Sequence, residues 1–470
     1  MNLKGISYYL GLFCFPVSIL AFINILYSSY FDYFLSINSY ILTLIASFII
    51  GSFLLLISKN SSKRINFIEQ LILILLVYFL ISLLIAIPFY LGNYQVTLIN
   101  SFFESVSGLT GTGFSTFKNI KYLDPTLIIW RSSSQWIGGL YFLFFLILIF
   151  SNKQFKYKLN DMTYSADGSI NSENNIKGLL SKIFIFYLIL SFIIFLFLNI
   201  AGVRMFNSLN LSMTLISAGG FLPTNTLENI INTNPKKIVF IFSLLFSLLN
   251  FFLILNLFEK KVIKKEHSED FYLIFLSLIL TLLVYFNNYS GFDIIISVLS
   301  SLSNSGLSLL NSDNNLGLYF LLVSCLGGSL ISNSSGIKFM RIYILLKISS
   351  LEIIKLISPN SIINKNIFNT EKKITDENIR NSFLIFISFF ISLFILSGIL
   401  TVDNINFENS FKLSILTITN TTASLMYGIQ EINFANLLTS SKLSLILFMI
   451  IGKIELISIF LIIRKLFFKY

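Results

Sequence analysis

The chain has 470 residues, is 55% hydrophobic but only 12% charged, and has a mean hydropathy of +0.82. An ordinary soluble domain is about 25% charged, so this chain has too little charge to cover a water-soluble protein of its size. The formal net charge of +11 is not a nucleic-acid footprint, because the basic residues sort by topology.

With ten crossings read from a cytoplasmic N-terminus, the 33 Lys and Arg fall on the cytoplasmic side, except Lys118, Lys121, Arg131, Arg204, Lys236, Lys237, Lys412 and Lys442. Asp and Glu split more evenly, as the positive-inside rule describes. The expectation is a multi-pass protein of the cell membrane, in contact with the lipid bilayer, with both termini cytoplasmic and no nucleic-acid partner.

Two apolar segments come first, residues 5–30 and 39–58, followed by the basic turn Ser61, Ser62, Lys63 and Arg64. The first lacks a small-residue cleavage site and reads as a retained helix rather than a signal peptide. After them one pattern occurs four times: an apolar span, a stretch too weakly apolar to cross, and a second span. The first spans start near Leu71, Ile183, Phe271 and Phe383, the second near Thr126, Ile238, Leu316 and Leu443. A repeat of this kind is an architectural signal. It divides the chain into an N-terminal helix pair (1–66) and repeats at 67–151, 179–258, 271–347 and 380–470. The fold class is an all-α integral membrane protein of about ten transmembrane helices, in four membrane–pore–membrane repeats.

Each connecting stretch is a half-length apolar segment ending in small and hydroxyl residues. The tips are Thr110, Gly111, Thr112 and Gly113; Ser217, Ala218 and Gly219; Asn304, Ser305 and Gly306; and Asn420, Thr421 and Thr422. Aligned on Gly113, Gly219, Gly306 and Thr422, the preceding residue is Thr112, Ala218, Ser305 or Thr421. A dozen helical residues reach about 18 Å, roughly half a bilayer, so each segment must turn back. Non-helical backbone at that depth must be buried in protein or line a watery cavity. Rings of carbonyls replace the water of an alkali cation, and Gly permits the unusual dihedrals this requires. One such tip is explained by an ordinary Gly/Ser turn; four in register argue for a shared pore.

Other chemistries find little support. Cys14 and Cys325 sit in different apolar segments and read as buried small hydrophobes, and the single histidine, His267, lies in a charged loop. These exclude a zinc site. No cluster of Asp, Glu or His supports a membrane-embedded lipid transferase, so neither an enzyme nor a bound cofactor is expected.

The tips carry a resemblance to the Trk/Ktr/HKT superfamily of potassium transporters. Residues 107–114, Ser-Gly-Leu-Thr-Gly-Thr-Gly-Phe, are similar to the family's first filter, and residues 217–221, Ser-Ala-Gly-Gly-Phe, to its second. Residues 131–139 resemble the start of the second membrane helix. Gly327-Gly328 through Gly336-Ile-Lys-Phe-Met-Arg341 resembles the interrupted helix of the third repeat, and residues 451–456 the last-helix motif. The two additional N-terminal helices resemble the Trk-type membrane subunit.

The resemblance implies pseudo-fourfold repeats, potassium as the transported ion, a homodimer, and a cytosolic nucleotide-binding regulatory subunit. It also implies an intramembrane gating loop at Ser329, Ser332, Asn333, Ser334 and Ser335, with Lys453 where the family has Arg. The loop reads either as a flexible break or as helix with back-bonded Ser hydroxyls. Lys453 reads as an electrostatic barrier below the filter, partly offset by Glu455, or as a side chain snorkelling to the interface. Thr422 replaces the fourth filter glycine. A Cβ there restricts positive φ, which leaves sodium open as the ion; a Ser in place of a filter Gly goes with sodium transport in plant relatives. Glu104 and Glu408, near the starts of pore helices, either attract cations or simply favour a helix N-terminus, which suffices for both.

Overall fold

The structure is a computed structural model and describes residues 2–32, 36–59, 65–150, 173–258, 267–285, 291–310, 316–359, 364–368, 373–429 and 432–454. The basic turn 61–64 and Glu455 lie outside the described residues.

Helices α1 (Leu3–Tyr30), α2 (Ile37–Ile57) and α3 (Phe67–Leu91) come first. Sequence chemistry sets their ends. Asn66 and Glu69 form a capping box at the start of α3, with the Asn66 amide donating to Glu69 at 2.8 Å. Glu69 also accepts from the Asn2 amide, so one carboxylate ties the start of α1 to that of α3. Gly11 and Gly51 let α1 and α2 approach closely: a Cβ on Gly11 would lie 2.9 Å from the Gly51 carbonyl.

Four short helices then alternate with longer elements. The short ones are α4 (Leu98–Thr110), α7 (Met205–Ile216), α11 (Gly291–Leu302) and α15 (Phe407–Ile418). Before each stands a long helix: α3, α6 (Glu173–Ile200), α10 (Ser268–Tyr285) and α14 (Asp376–Val402). After them come α5 (Pro125–Phe150), the pair α8 (Asn234–Leu248) and α9 (Phe251–Phe258), the pair α12 (Gly317–Leu326) and α13 (Phe339–Ile357), and α16 (Thr439–Ile454). Among the described residues the only β pairing is an isolated bridge between Asn366 and Lys373.

Six described helices are long and apolar enough to cross a membrane, or seven when α8 and α9 are taken as one bent span. The protein is an all-helical, multi-pass membrane protein. The second spans depart from the uniform runs expected from sequence. The 238–258 run is not one straight helix: α8 and α9 meet at 111°. Asn250 sits at the bend; its amide donates to Asp270 at 2.8 Å and its side chain accepts from the Phe252 amide at 3.0 Å.

The repeats share one large core, and α1–α3 form a second with α5, in which Trp130 donates to the Ile85 carbonyl and Tyr141 to the Phe13 carbonyl. Two glycines let second spans cross the ends of short helices. A Cβ at Gly138 of α5 would lie 2.0 Å from the Leu109 carbonyl, and one at Gly452 of α16 would lie 2.3 Å from that of Ile418. Leu109 and Ile418 hold matching places in α4 and α15. Gly138→Ala should therefore cost about 1–3 kcal/mol through overpacking. It should appear as a thermal midpoint several degrees lower in detergent, and an unchanged midpoint would contradict this packing.

Candidate functional site: four converging tips above a buried loop

The four short helices end in one backbone pattern. Gly111, Ala218, Asn304 and Asn420 all take positive φ, at 80°, 56°, 63° and 49°. Each donates its amide to the carbonyl three residues back, on Gly108, Leu215, Ser301 and Thr417. This corrects the sequence register in the second repeat by one residue. Ala218 is the counterpart of Gly111, so Gly219 matches Thr112 and Gly220 matches Gly113. The adjacent pair Gly219-Gly220 leaves that choice open in sequence alone; the helix end decides it.

The tips meet around Thr422. A Cβ added to Gly113 would lie 2.2 Å from the Thr422 hydroxyl oxygen and 3.1 Å from the Gly220 Cα. One on Gly220 would lie 2.7 Å from the Ser305 carbonyl, and one on Gly306 would lie 2.6 Å from the Thr422 carbonyl. Residues some three hundred positions apart thus sit in contact, with glycine at three of the four places. Gly113 and Gly306 have positive φ (77° and 68°), whereas Gly220 and Thr422 do not. Thr422 Oγ1 donates to the Thr112 carbonyl at 3.0 Å.

Hydroxyl pairs back the tips: Thr110 with Thr112 at 2.8 Å, Ser303 with Ser305 at 3.2 Å, and Thr419 with Thr421 at 2.8 Å. Asn420 Nδ2 donates to Thr112 Oγ1 and to the Met449 carbonyl, both at 2.9 Å. Ser217 bonds back into its own helix, to Met213 and Thr214.

Glu104 is not at a helix start. It lies in the middle of α4, fully buried, and its Oε1 accepts from Arg131 Nε of α5 at 2.9 Å. Its other oxygen accepts from the Thr116 amide at 2.7 Å and the Thr116 hydroxyl at 3.1 Å. The Arg131 guanidinium also donates to Ser115 at 3.0 Å and lies 4.2 Å from the centre of the Phe221 ring. The pair clamps the segment leaving the first tip to two helices and to the second tip, a structural role rather than cation attraction or dipole matching. Glu408, by contrast, is exposed in the first turn of α15. Hydrogen bonding to Lys412, and then its charge, hold the Glu408 carboxyl below its ordinary value.

Beneath the tips the chain from Gly327 to Lys338 is not helical, so the third second span is broken. Residues 329–335 are each at most 4% exposed. Their backbone meets that of the α8–α9 bend: the Ser329 amide donates to Leu248 at 3.1 Å, and Phe251 donates to the Ile331 carbonyl at 2.9 Å. Glu269 Oε1 accepts from the Leu330 amide at 3.0 Å. Two broken spans thereby satisfy one another's backbone groups, as irregular chain at membrane depth requires.

Two lysines hold this loop. Lys453 does not snorkel to an interface: it is buried, its ammonium donates to the Asn333 carbonyl at 3.1 Å and Ser335 Oγ at 3.3 Å, and it lies 4.5 Å from the Phe142 ring centre. A Cβ on Gly111 would be 3.8 Å from it, which puts the charge directly beneath the first tip. Asn333 Nδ2 reaches the Ile216 carbonyl at 2.6 Å, joining the loop to the second tip. Lys338 went unread as a site residue in the sequence. Its ammonium lies 2.5–3.3 Å from the carbonyls of Ser329, Ser332 and Ser334 and the hydroxyls of Ser332 and Ser334. A lysine three residues after a run of hydroxyls inside an apolar span was the available signal.

Comparisons with known proteins fit this geometry. No family model matches the chain. An uncharacterized cation transporter of Methanocaldococcus jannaschii is 23% identical, with 100% of this chain and 97% of the relative covered. The Trk system potassium uptake protein TrkH of Salmonella typhimurium is 22% identical over 91% of both chains, and TrkG of Escherichia coli is 24% identical over 92% of both. The crystal structure of the potassium transporter TrkH from Vibrio parahaemolyticus superposes with a TM-score of 0.86 at 18% identity, covering 100% of both chains. The chain is TrkH-like in sequence and in fold. In this TrkH-like chain the likeness takes in α1 and α2 as well as the four tips, and each of the four relatives is named as a transporter or uptake protein.

Proposed function

We propose that the chain carries potassium across the cell membrane through an axis framed by the four tips. The observation that carries this reading is their convergence: three glycines and Thr422, from four separate segments, in contact around one point at the ends of four short helices. On this reading the ten crossings form four pseudo-fourfold repeats at the boundaries expected from sequence, and both termini face the cytoplasm. Backbone oxygens of Thr110 to Gly113, Ser217 to Gly220, Asn304 to Gly306 and Asn420 to Thr422 replace the water of a dehydrated cation. The 329–335 loop and the Lys453 ammonium form the barrier below them. The names of the relatives support potassium as the ion, and family likeness supports a homodimer served by a cytosolic nucleotide-binding regulatory subunit.

A sodium-permeable transporter is the second reading, and Thr422 is what favours it. Its hydroxyl occupies the Thr112 carbonyl, and it is the one of the four places without glycine, so the fourth side of the ring offers different ligands.

Purified protein in liposomes, loaded with a cation gradient, tests both. Uptake of potassium or rubidium in preference to sodium is expected; equal or reversed preference removes the potassium reading. Thr422→Gly frees the Thr112 carbonyl and should raise the potassium-to-sodium ratio by about tenfold, the equivalent of about 1.4 kcal/mol. A ratio that does not move would show that Thr422 does not set the preference.

A further inference from the structure

We infer that Asn304 is a positioning residue that couples the buried loop to the filter, so that ion preference follows the state of the gate. The inference rests on the transport reading of the tips and the loop.

The four residues with matching backbone at the tips form an internal comparison. Gly111 and Ala218 have no side chain that reaches beyond its own segment. Asn420 donates Nδ2 to Thr112 Oγ1 of the next tip and to Met449 of its own second span. Asn304 repeats that arrangement, donating Nδ2 to Thr421 Oγ1 at 3.1 Å and to the Ser324 carbonyl of α12 at 2.8 Å. The difference lies in the other end of the amide. Asn304 Oδ1 accepts the Ser335 amide of the loop at 3.0 Å, whereas Asn420 Oδ1 is buried with no hydrogen-bond partner. Of the four, only Asn304 therefore joins filter and loop.

A carboxamide is planar, so its two ends move together. Asn304 is 1% exposed, and a buried acceptor that loses its donor must find another or remain desolvated at a cost. Withdrawal of Ser335 when the loop opens leaves Oδ1 in that position. Rotation of the amide toward a new donor takes Nδ2 away from Thr421. Thr421 is paired with Thr419 at 2.8 Å and stands next to Thr422 in the ring. Loop movement thus reaches the fourth tip through one side chain. Asn also tolerates the left-handed backbone this position demands.

The test measures flux and the potassium-to-sodium ratio together in proteoliposomes. Lys338→Gln loosens the loop; it should raise flux and shift the ratio by about threefold or more. In an Asn304→Ala background the same change should still raise flux but leave the ratio fixed at that of Asn304→Ala alone. Thr421→Val, which removes the acceptor with little change of shape, should decouple the two in the same way and serves if Asn304→Ala does not fold. An equal ratio shift with and without the Asn304 amide overturns the inference, as does a Lys338→Gln protein that conducts more with an unchanged ratio. A wild-type protein that passes no monovalent cation overturns the transport reading itself, an outcome visible before any variant is compared.

Discussion

Arg131→Met should melt well below the wild-type protein, because it strands a carboxylate in a dry interior. Glu104 and Arg131 are 0% and 1% exposed, and they meet at 2.9 Å. Removing one partner of a buried pair typically costs about 3–5 kcal/mol, more than the intact pair contributes, because the remaining charge keeps its desolvation penalty. Ser115 and Thr116 would still donate to Glu104, which softens the loss without supplying a countercharge. The variant also removes the cation stacked on Phe221, loosening first and second tips together. A double variant, Arg131→Met with Glu104→Gln, should recover part of the loss, since contacting residues are not additive. Thermal unfolding of the purified proteins in detergent reads all three. An Arg131→Met midpoint matching the wild type would show that the pair does not hold the segment at Ser115 and Thr116.

The second large effect is expected at Lys338, where Lys338→Gln should raise cation flux on the order of ten- to a hundredfold. The ammonium gathers five loop oxygens from three serines, in the manner of a tethered cation filling a carbonyl cage. Hydrogen bonds from a charged donor contribute about 1.5–3 kcal/mol each in net terms. Loss of even one such increment between closed and open loops changes their ratio by that factor. Glutamine is one atom shorter and keeps one donor group, but neither the charge nor the threefold donor geometry. Initial uptake rates in liposomes at matched protein density give the comparison. A rate equal to or below that of the wild type would mean that the cradle does not hold the loop shut.

The sequence made some of this legible and hid the rest for identifiable reasons. Periodicity and small-residue tips are local signals, so the four short helices and the turns after them could be placed from residues such as Gly111, Gly113 and Gly306. The depth of Lys453 could be counted along its span. Long-range pairing could not. Glu104 read as a charge near a helix start because its partner is 27 residues away. The α8–α9 bend was hidden in an apolar run in which Asn250 reads as an ordinary tolerated residue. The second-repeat register was ambiguous because two glycines stand side by side, and only the Ala218 backbone resolves it. Lys338 went unread because its ligands are the carbonyls and hydroxyls of a loop that folds back onto it.

The reciprocal backbone bonds between the α8–α9 bend and the loop bear on how the molecule is made. The Leu248 carbonyl and the Phe251 amide find their partners in Ser329 and Ile331, about eighty residues later in synthesis. Until that chain emerges, the second repeat must carry exposed polar backbone at bilayer depth, or keep its second span straight as its apolar sequence permits. Asp270, only twenty residues on, can hold the Asn250 amide early, but the Leu248 and Phe251 backbone groups are satisfied only once the third repeat is in place.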